Sequence, residues 1–207
     1  MKNINSQDTE YKILKAAEEE FMRKGFSGAR TTSIAEAAGV THAMLHYYFR
    51  TKEKIFERII SEKIMMIRDI IGFSFEDDSL SLNEMIHSLI ERHLKFLSEN
   101  SDLPRFLIGE VFSNPERASI VKEKIKDVAT LLIRKLQNKI DSAYTKGVCR
   151  NIDAKSLLID ILSLDVFPYM ASPLINAAFE DIMEDKESFM LLRLKENYDI
   201  IIRKLKP

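Results

Sequence analysis

Turn-forming residues are scarce in this chain, since only six Gly and five Pro occur among its 207 residues. β-Sandwiches and barrels need such residues at short intervals, because each short strand ends in a tight turn. Apolar residues instead recur at steps of three and four along most of the chain, which is the period of an amphipathic helix. We therefore predict an all-α fold of about nine or ten helices without strands.

The composition excludes several classes of protein. Apolar residues make up 45% and charged residues 30%, which is typical of a globular chain and not of a disordered one. The most apolar stretch, residues 157–179, is interrupted by Asp160 and Asp165, so we interpret it as a buried helix and not as a membrane span. The single cysteine, Cys149, permits neither an intramolecular disulfide nor a multi-cysteine zinc site. With charged residues throughout the first twenty positions and no secretory signal, we expect a cytoplasmic location.

The charge of the chain is distributed unevenly. Residues 1–58 carry ten basic and eight acidic side chains, whereas the whole chain has a net charge of −1. The excess is small, but its position suits an N-terminal module that binds a polyanion.

The segment from Thr31 to Phe49 has the pattern of two helices joined by a tight turn. Steeply crossing helices need a small residue at the contact, and Ala35 is so placed. The turn needs a residue that tolerates positive φ, and Gly39 provides it. Apolar residues such as Ile34 in the first helix and Leu45 in the second can face a shared core. This spacing predicts a helix-turn-helix.

Polar and capping residues predict where the helices begin. Thr32 or Ser33 is expected to cap the first helix of the pair, and Thr41 the second. Ser81 and Glu84 have the spacing of a capping box, in which each satisfies a backbone N–H near the other. Further starts are expected at Thr51, Asn114, Asp153 and Asp185.

The outer face of the second helix of the pair carries hydrogen-bonding, aromatic or small side chains. Such a face can lie in the major groove of DNA without an apolar penalty. These residues are Thr41, His42, Ala43, His46 and Tyr47.

The run from Ile13 to Ile55 resembles the N-terminal domain of the TetR (tetracycline-repressor-like) transcriptional regulators. The match covers about a fifth of the chain, and its residues occur in the order of the family pattern. The matching positions are Ile13-Leu14, Ala16-Ala17, Phe21, Gly25-Phe26, Thr31-Thr32, Ile34-Ala35, Ala38-Gly39-Val40, Leu45, Tyr48-Phe49 and Lys52-Glu53.

The resemblance implies a homodimer of two-domain, all-helical subunits. Residues 1–51 would form the helix-turn-helix domain that binds a double-stranded DNA operator. Residues 52–207 would form a larger helical domain that dimerises and holds a small-molecule effector. The implied function is a sequence-specific transcriptional regulator, a repressor released from a near-palindromic operator by its ligand.

The resemblance also implies which residues contact DNA. Thr32 and Thr41 would touch phosphates from helix N-termini, with Thr31 an alternative to Thr32; both Thr31 and Thr32 also suit a simple capping role. Lys52 would bind a further phosphate.

The remaining implied DNA contacts come from the second helix of the pair and differ from the common family pattern at several positions. His42 stands where the family often has Lys, and Ala43 where Gly is common. His46 replaces a usual Tyr, while Tyr47 matches an aromatic position. Met44 replaces a small polar residue and suits contact with a thymine methyl group.

The effector pocket is predicted from aromatic and polar residues of the larger domain, several of which are equally suited to a core. His93 is either a core histidine with one hydrogen bond or a pocket group. For Asp165, as for Asp160, pairing across a dimer or exposure on a narrow polar edge ranks ahead of a ligand-facing role. The pocket candidates are His93, Phe106, Phe112, Asp165, Phe167 and Tyr169.

Two other classes of function remain as alternatives. Glu84, His87 and Glu91 share a helix face and suggest a di-iron carboxylate bundle, but the chain offers no second set with this spacing. A protein-interaction module that has lost DNA binding is the other, because the chain is nearly neutral and His42 replaces a cation. No catalytic triad or phosphate-binding glycine loop is present, so we predict no enzymatic activity, no cofactor and no metal site.

Overall fold

The computed structural model describes residues 6–75, 77, 79–179 and 182–207. Ten α-helices and no strand occur within these ranges, which confirms the all-α prediction. In chain order the helices are α1 (Ser6–Gly28), α2 (Thr31–Ala37), α3 (His42–Tyr48), α4 (Lys52–Phe73), α5 (Leu82–Glu99), α6 (Leu103–Ser113), α7 (Pro115–Thr145), α8 (Ala154–Met170), α9 (Ser172–Phe179) and α10 (Lys186–Leu205).

Most of the predicted helix starts are confirmed by the capping hydrogen bonds. Thr41 accepts a bond from the backbone of α3, Asp153 from α8 and Asp185 from α10. Both bonds of the capping box between Ser81 and Glu84 are present at the start of α5. These side chains accept bonds from N–H groups that have no partner within their helix, which fixes where each helix begins.

The predicted cap of α2 is wrong. The helix begins at Thr31, two or three residues earlier than a cap at Thr32 or Ser33 would place it. Its N-cap residue is Arg30, whose side chain makes no capping bond. Ile34 and Ala35 are both buried, and their packing stabilises this short helix, which has no side-chain cap.

Gly25 interrupts α1 with φ 68° and ψ 169°, so the final residues to Gly28 form a separate turn. At the other end of the chain, α8 continues only two residues beyond Pro168, which removes a backbone donor from the helix.

Among the described residues no single helix is long and apolar enough to cross a membrane. The pair α8 and α9 reaches that length and composition only when joined across its bend of 72°.

The residues group into two compact units. The first comprises the residues up to Met65 together with Phe106–Lys124. Its core is a cluster of aromatic rings in which Phe21 stacks on Phe26, with ring centroids 5.6 Å apart, and on Phe106, at 6.4 Å. Because the corner between α6 and α7 supplies part of this core, the compact unit is larger than the predicted DNA-binding domain of residues 1–51, a functional boundary that stays a prediction.

The second unit comprises Met66–Arg105 and Ile125–Pro207. Its centre is formed by α5, α8 and α10, which pack against one another. Apolar residues at steps of three and four along α5 are buried, as the sequence pattern predicts. They are Leu82, Met85, Ile86, Leu89, Ile90, Leu94, Phe96 and Leu97.

Candidate nucleic-acid interface

The turn between α2 and α3 is closed by backbone hydrogen bonds. Gly39 donates to the carbonyl of Glu36 at 3.0 Å, and Val40 donates to that of Ala35, also at 3.0 Å. Gly39 has φ 66°, in the left-handed region that residues with a side chain rarely adopt. A Cβ at this position would meet nothing within 4 Å, so the need for glycine comes from the backbone angle alone. The predicted helix-turn-helix is therefore present with its predicted turn residue.

The orientation of α3 is fixed by one buried face. Leu45 is fully buried, and Phe49 just beyond the helix is buried as well. At the other end, the backbone N–H of Met44 donates to the hydroxyl of Thr41 at 3.1 Å. Since α3 is only seven residues long, these contacts determine which side chains face outward.

The outward side of α3 carries the residues that the sequence predicted there. Thr41, His42, Ala43, His46 and Tyr47 are exposed, and Met44 is half-buried. Tyr47 is 83% exposed, which is unusual for so large a ring in the absence of a partner. The structure thus brings the predicted base-reading residues onto one surface.

A chain of polar contacts runs across this surface. The Thr31 hydroxyl and His42 Nε2 lie 3.0 Å apart, so the first residue of α2 is tied to the first of α3. The His42 ring meets the His46 ring edge to face, with centroids 4.4 Å apart. His46 Nδ1 lies 3.3 Å from the carbonyl oxygen of Arg50. These contacts restrict the imidazole rotamers, so the surface is partly organised before any ligand binds.

Lys52 is placed differently from the predicted phosphate contact. Its ammonium donates to the carbonyls of Phe26 and Ala29, at 2.8 and 2.9 Å. It also lies 4.4 Å from the centroid of the Phe26 ring. The Lys52 side chain therefore holds the turn after α1, and a phosphate contact by the same group stays a prediction. Thr32 is exposed beside this region.

Two arginines near α3 were not singled out by the sequence pattern. Arg30 immediately precedes α2 and Arg50 follows α3, and both are exposed. Neither forms an ion pair within the part of the chain that the structure describes. Such cations attract phosphates without reading sequence. Their position at helix boundaries, and not any motif, is the signal that identifies them.

The predicted pocket residues divide between the two units. Phe106 belongs to the aromatic core of the first unit, where its ring lies 6.0 Å from that of Phe56. Phe112 is 84% exposed. Phe106 and Phe112 lie in the first unit, at the corner between α6 and α7, and a pocket role for either stays a prediction.

His93 and Asp165 do meet, inside the second unit. His93 Nδ1 lies 2.9 Å from Asp165 Oδ2, and with an ionised carboxylate the imidazole N–H is the donor. Asn197 donates to the other carboxylate oxygen at 2.7 Å, and Arg193 in turn donates to Asn197. Asp165 is 0% exposed, so its expected place on an exposed edge or across a dimer is wrong. The hydrogen bonds within one subunit offset the desolvation of its charge.

Asp160 lies at the surface of the same helix, and Lys204 of α10 donates to its carboxylate. Phe167 is 56% exposed, whereas Tyr169 is buried. Asn197 and Arg193 were missed by sequence reasoning, because an Asn and an Arg on an amphipathic helix ordinarily lie in solvent.

The residues of the di-iron alternative have other partners. The carboxylate of Glu84 accepts bonds from the backbone and hydroxyl of Ser81. His87 and Glu91 are exposed, 4.0 Å apart at their closest polar atoms. Among the described residues, no group of three or more His, Cys, Asp or Glu side chains could hold a metal ion.

Comparison with known proteins identifies the N-terminal region. Residues 13–59 match the family model for bacterial regulatory proteins of the tetR family. The uncharacterized HTH-type transcriptional regulator YdgC of Bacillus subtilis (strain 168) is 31% identical over 129 residues. The match covers 61% of this chain and 63% of YdgC, so it spans less than two thirds of that relative.

The fold as a whole is shared with solved structures. The regulator FadR from Bacillus subtilis, in complex with stearoyl-CoA, superposes with a TM-score of 0.71 at 17% identity, covering 94% of this chain and 98% of FadR. The TetR family regulator PfmR from Thermus thermophilus gives 0.71 at 19% identity, with 94% and 99% covered.

The two-helix motif and the all-α architecture define a helix-turn-helix protein. Residues 13–59 form a helix-turn-helix domain of the TetR family, and the chain is similar to TetR-type transcriptional regulators over a longer stretch. The prediction that it is not an enzyme agrees with this family.

Proposed function

We propose that the protein is a cytoplasmic transcriptional regulator that binds double-stranded DNA as a homodimer. The observation that carries this proposal is the outward face of α3, where polar and aromatic side chains stand exposed on a helix whose other face is buried. In helix-turn-helix proteins such a helix enters the major groove and reads the edges of the bases.

The contacts divide into two kinds. His42, Ala43, Met44, His46 and Tyr47 face the bases, since they lie along the outward and flanking sides of α3. The remaining contacts go to phosphates, which position the protein on the duplex without reading sequence. These come from Thr31, Thr32, Thr41 and Lys52, joined by Arg30 and Arg50.

Dimerisation is supported by apolar side chains that the folded subunit leaves exposed on α8 and α10. Phe167 and Ile159 of α8 and Leu191 of α10 are each more than half exposed. Large exposed apolar surfaces mark sites of association. A two-fold dimer would present two copies of α3, which requires a near-palindromic operator with half-sites about 34–36 Å apart.

A small-molecule effector is proposed to act through the second unit. The similar FadR structure holds stearoyl-CoA, which supports ligand binding in this fold. A ligand that binds the DNA-free conformation better would shift the population away from the operator. Bound beside a promoter without ligand, the dimer would exclude polymerase and so act as a repressor.

The test is binding of the purified full-length protein to DNA from beside its own gene, with random DNA of equal length as control, across a salt series. Specific binding should exceed random binding by about a thousandfold or more and fall linearly with the logarithm of salt concentration. Binding to neither DNA at low salt would contradict the proposal and favour a protein-interaction module. Equal, weak binding to both would show a DNA-binding protein whose operator lies elsewhere.

A further inference from the structure

The second unit contains a cavity of about 160 Å³ at the end of α5, between α8, α9 and the start of α10. Its wall is mixed, because Met183 and Phe189 line it together with residues that carry hydroxyl, amide or ammonium groups. The polar residues are Ser98, Ser101, Tyr169, Ser172, Asn176 and Lys186. A water molecule occupies roughly 30 Å³ in the liquid, so the space equals that of about five waters. Drug-sized ligands need at least about 300 Å³, so this cavity suits a smaller molecule.

Tyr169 is the buried group that points to a ligand. The residue is only 4% exposed, and its hydroxyl, although Ser98 lies nearby, completes no hydrogen bond with another described residue. Burial, reinforced by the nearby charge of Asp165, raises the pKa of the Tyr169 phenol to about 12. The phenol is therefore neutral at physiological pH and offers an O–H donor to the cavity. A buried donor without an acceptor is unfavourable, and a bound acceptor would relieve that.

Asn176 and Lys186 add an acceptor and a positive charge. The side-chain carbonyl oxygen of Asn176 is buried and likewise without a hydrogen-bond partner within the described ranges. Lys186 is an exposed residue at the edge of the cavity, and its ammonium forms no ion pair with another described residue. The cavity therefore combines one free donor, one free acceptor and one cation. This set is complementary to a ligand that carries an anionic acceptor and a donor of its own.

We propose that this cavity binds a small carboxylate that also carries a hydroxyl or amino group, as hydroxy acids and amino acids do. The carboxylate accepts from the Tyr169 hydroxyl and pairs with Lys186. The ligand's own hydroxyl or ammonium donates to Asn176, and its carbon chain contacts Phe189. The claim that this ligand is the effector rests on the proposed function. The claim that the cavity binds it rests on the cavity alone.

The experiment measures binding of L-lactate, L-serine and propionate to the full-length protein by calorimetry and thermal melting. Lactate offers a hydroxyl donor alone, serine offers an ammonium together with a hydroxyl, and propionate offers neither, so binding of serine without binding of lactate identifies the ammonium as the donor. We expect lactate or serine to bind and to raise the melting temperature, and propionate to bind at least about tenfold more weakly. Binding of neither lactate nor serine overturns the inference.

Two variants locate the site. Tyr169→Phe removes only the unpaired hydroxyl, and Lys186→Gln removes only an exposed charge, so both should fold. Each should weaken binding of the active probe about tenfold or more. Tyr144→Phe makes the same chemical change at an exposed tyrosine of the same unit and should bind as the wild type does. Unchanged binding in both site variants overturns the inference. A higher melting temperature of Tyr169→Phe, together with no binding of any probe to the wild type, also overturns the inference. The Tyr169 hydroxyl would then be a buried group without a partner and not part of a binding site.

DNA binding is measured separately with and without the active probe. Probe binding without an effect on DNA affinity leaves the site standing and excludes it as the effector site. A protein that binds the probe but no DNA contradicts the proposed function and not the site.

Discussion

Glu110 accepts a hydrogen bond from the backbone N–H of Phe26 at 2.9 Å, although the two residues are 84 positions apart. The other carboxylate oxygen of Glu110 accepts from Arg117 at 2.6 Å, and the Arg117 guanidinium lies 4.5 Å from the centre of the Phe26 ring. A Cβ at Gly25 would lie 3.5 Å from the Glu110 carboxylate. The turn after α1 is therefore held from the corner between α6 and α7.

Glu110→Ala should lower the free energy of unfolding by about 3 kcal/mol, because it leaves a buried N–H and a largely buried guanidinium unpaired. Urea denaturation followed by circular dichroism measures this. Glu123→Ala removes an exposed carboxylate of α7 and should change stability by less than about 0.5 kcal/mol. Equal effects of the two substitutions would show that the Glu110 contacts contribute little.

Gly39→Val should destabilise the first unit and misplace α3, because a β-branched residue strongly resists φ 66°. We expect a loss of about 2 kcal/mol or more and of specific DNA binding. Gly109→Val provides the matched control, since Gly109 lies in α6, has no positive φ and leaves open space for a Cβ. Normal operator affinity in Gly39→Val would refute the turn assignment.

Tyr47→Ala should weaken operator binding by about 1–3 kcal/mol and relax the preference for one base, with His46→Ala acting similarly. Because Tyr47 is exposed, its loss should leave the melting temperature unchanged. Competition binding with operators altered at single positions measures both effects. Tyr144→Ala removes an exposed ring from the second unit as control. Wild-type function in Tyr47→Ala would favour the interaction-module alternative.

Lys52→Ala separates two roles of one ammonium group. Loss of its bonds to Phe26 and Ala29 should destabilise the protein by about 1–2 kcal/mol. If Lys52 also binds a phosphate, as the sequence predicts, the slope of log affinity against log salt should fall by about one unit for all DNA sequences. Thermal melting and a salt titration on the same variant measure the two effects. If the slope of log affinity against log salt is unchanged in Lys52→Ala while the protein still binds the same DNA site, Lys52 has a structural role only.

Phe167→Glu should weaken dimerisation, because it places a charge on the exposed apolar face of α8. We expect the dimer dissociation constant to rise about tenfold or more, measured by sedimentation at micromolar concentration. Phe112→Glu makes the same change at an exposed position of α6 and should remain dimeric. A wild-type protein that sediments as a monomer would instead remove the proposed dimer altogether.

The local features of this protein can be predicted from its sequence. Periodicity and scarce glycine predicted the helices, and hydroxyl or carboxylate side chains such as Thr41 and Asp153 predicted where they begin, because a cap acts within three residues of itself. The turn at Gly39 and the outward residues of α3 followed for the same reason, since a helix-turn-helix is specified by neighbours in sequence.

Contacts between distant segments could not be predicted in this way. In the folded chain, Lys52 donates to a carbonyl of the turn after α1, and Phe106 packs in a core with Phe21. Asp165 is buried against His93 and Asn197. A charged or aromatic residue on an amphipathic helix has the same local pattern whether it meets solvent, a ligand or a distant segment of its own chain. Which of these it meets depends on how the helices pack, and that information lies in no single stretch of the chain.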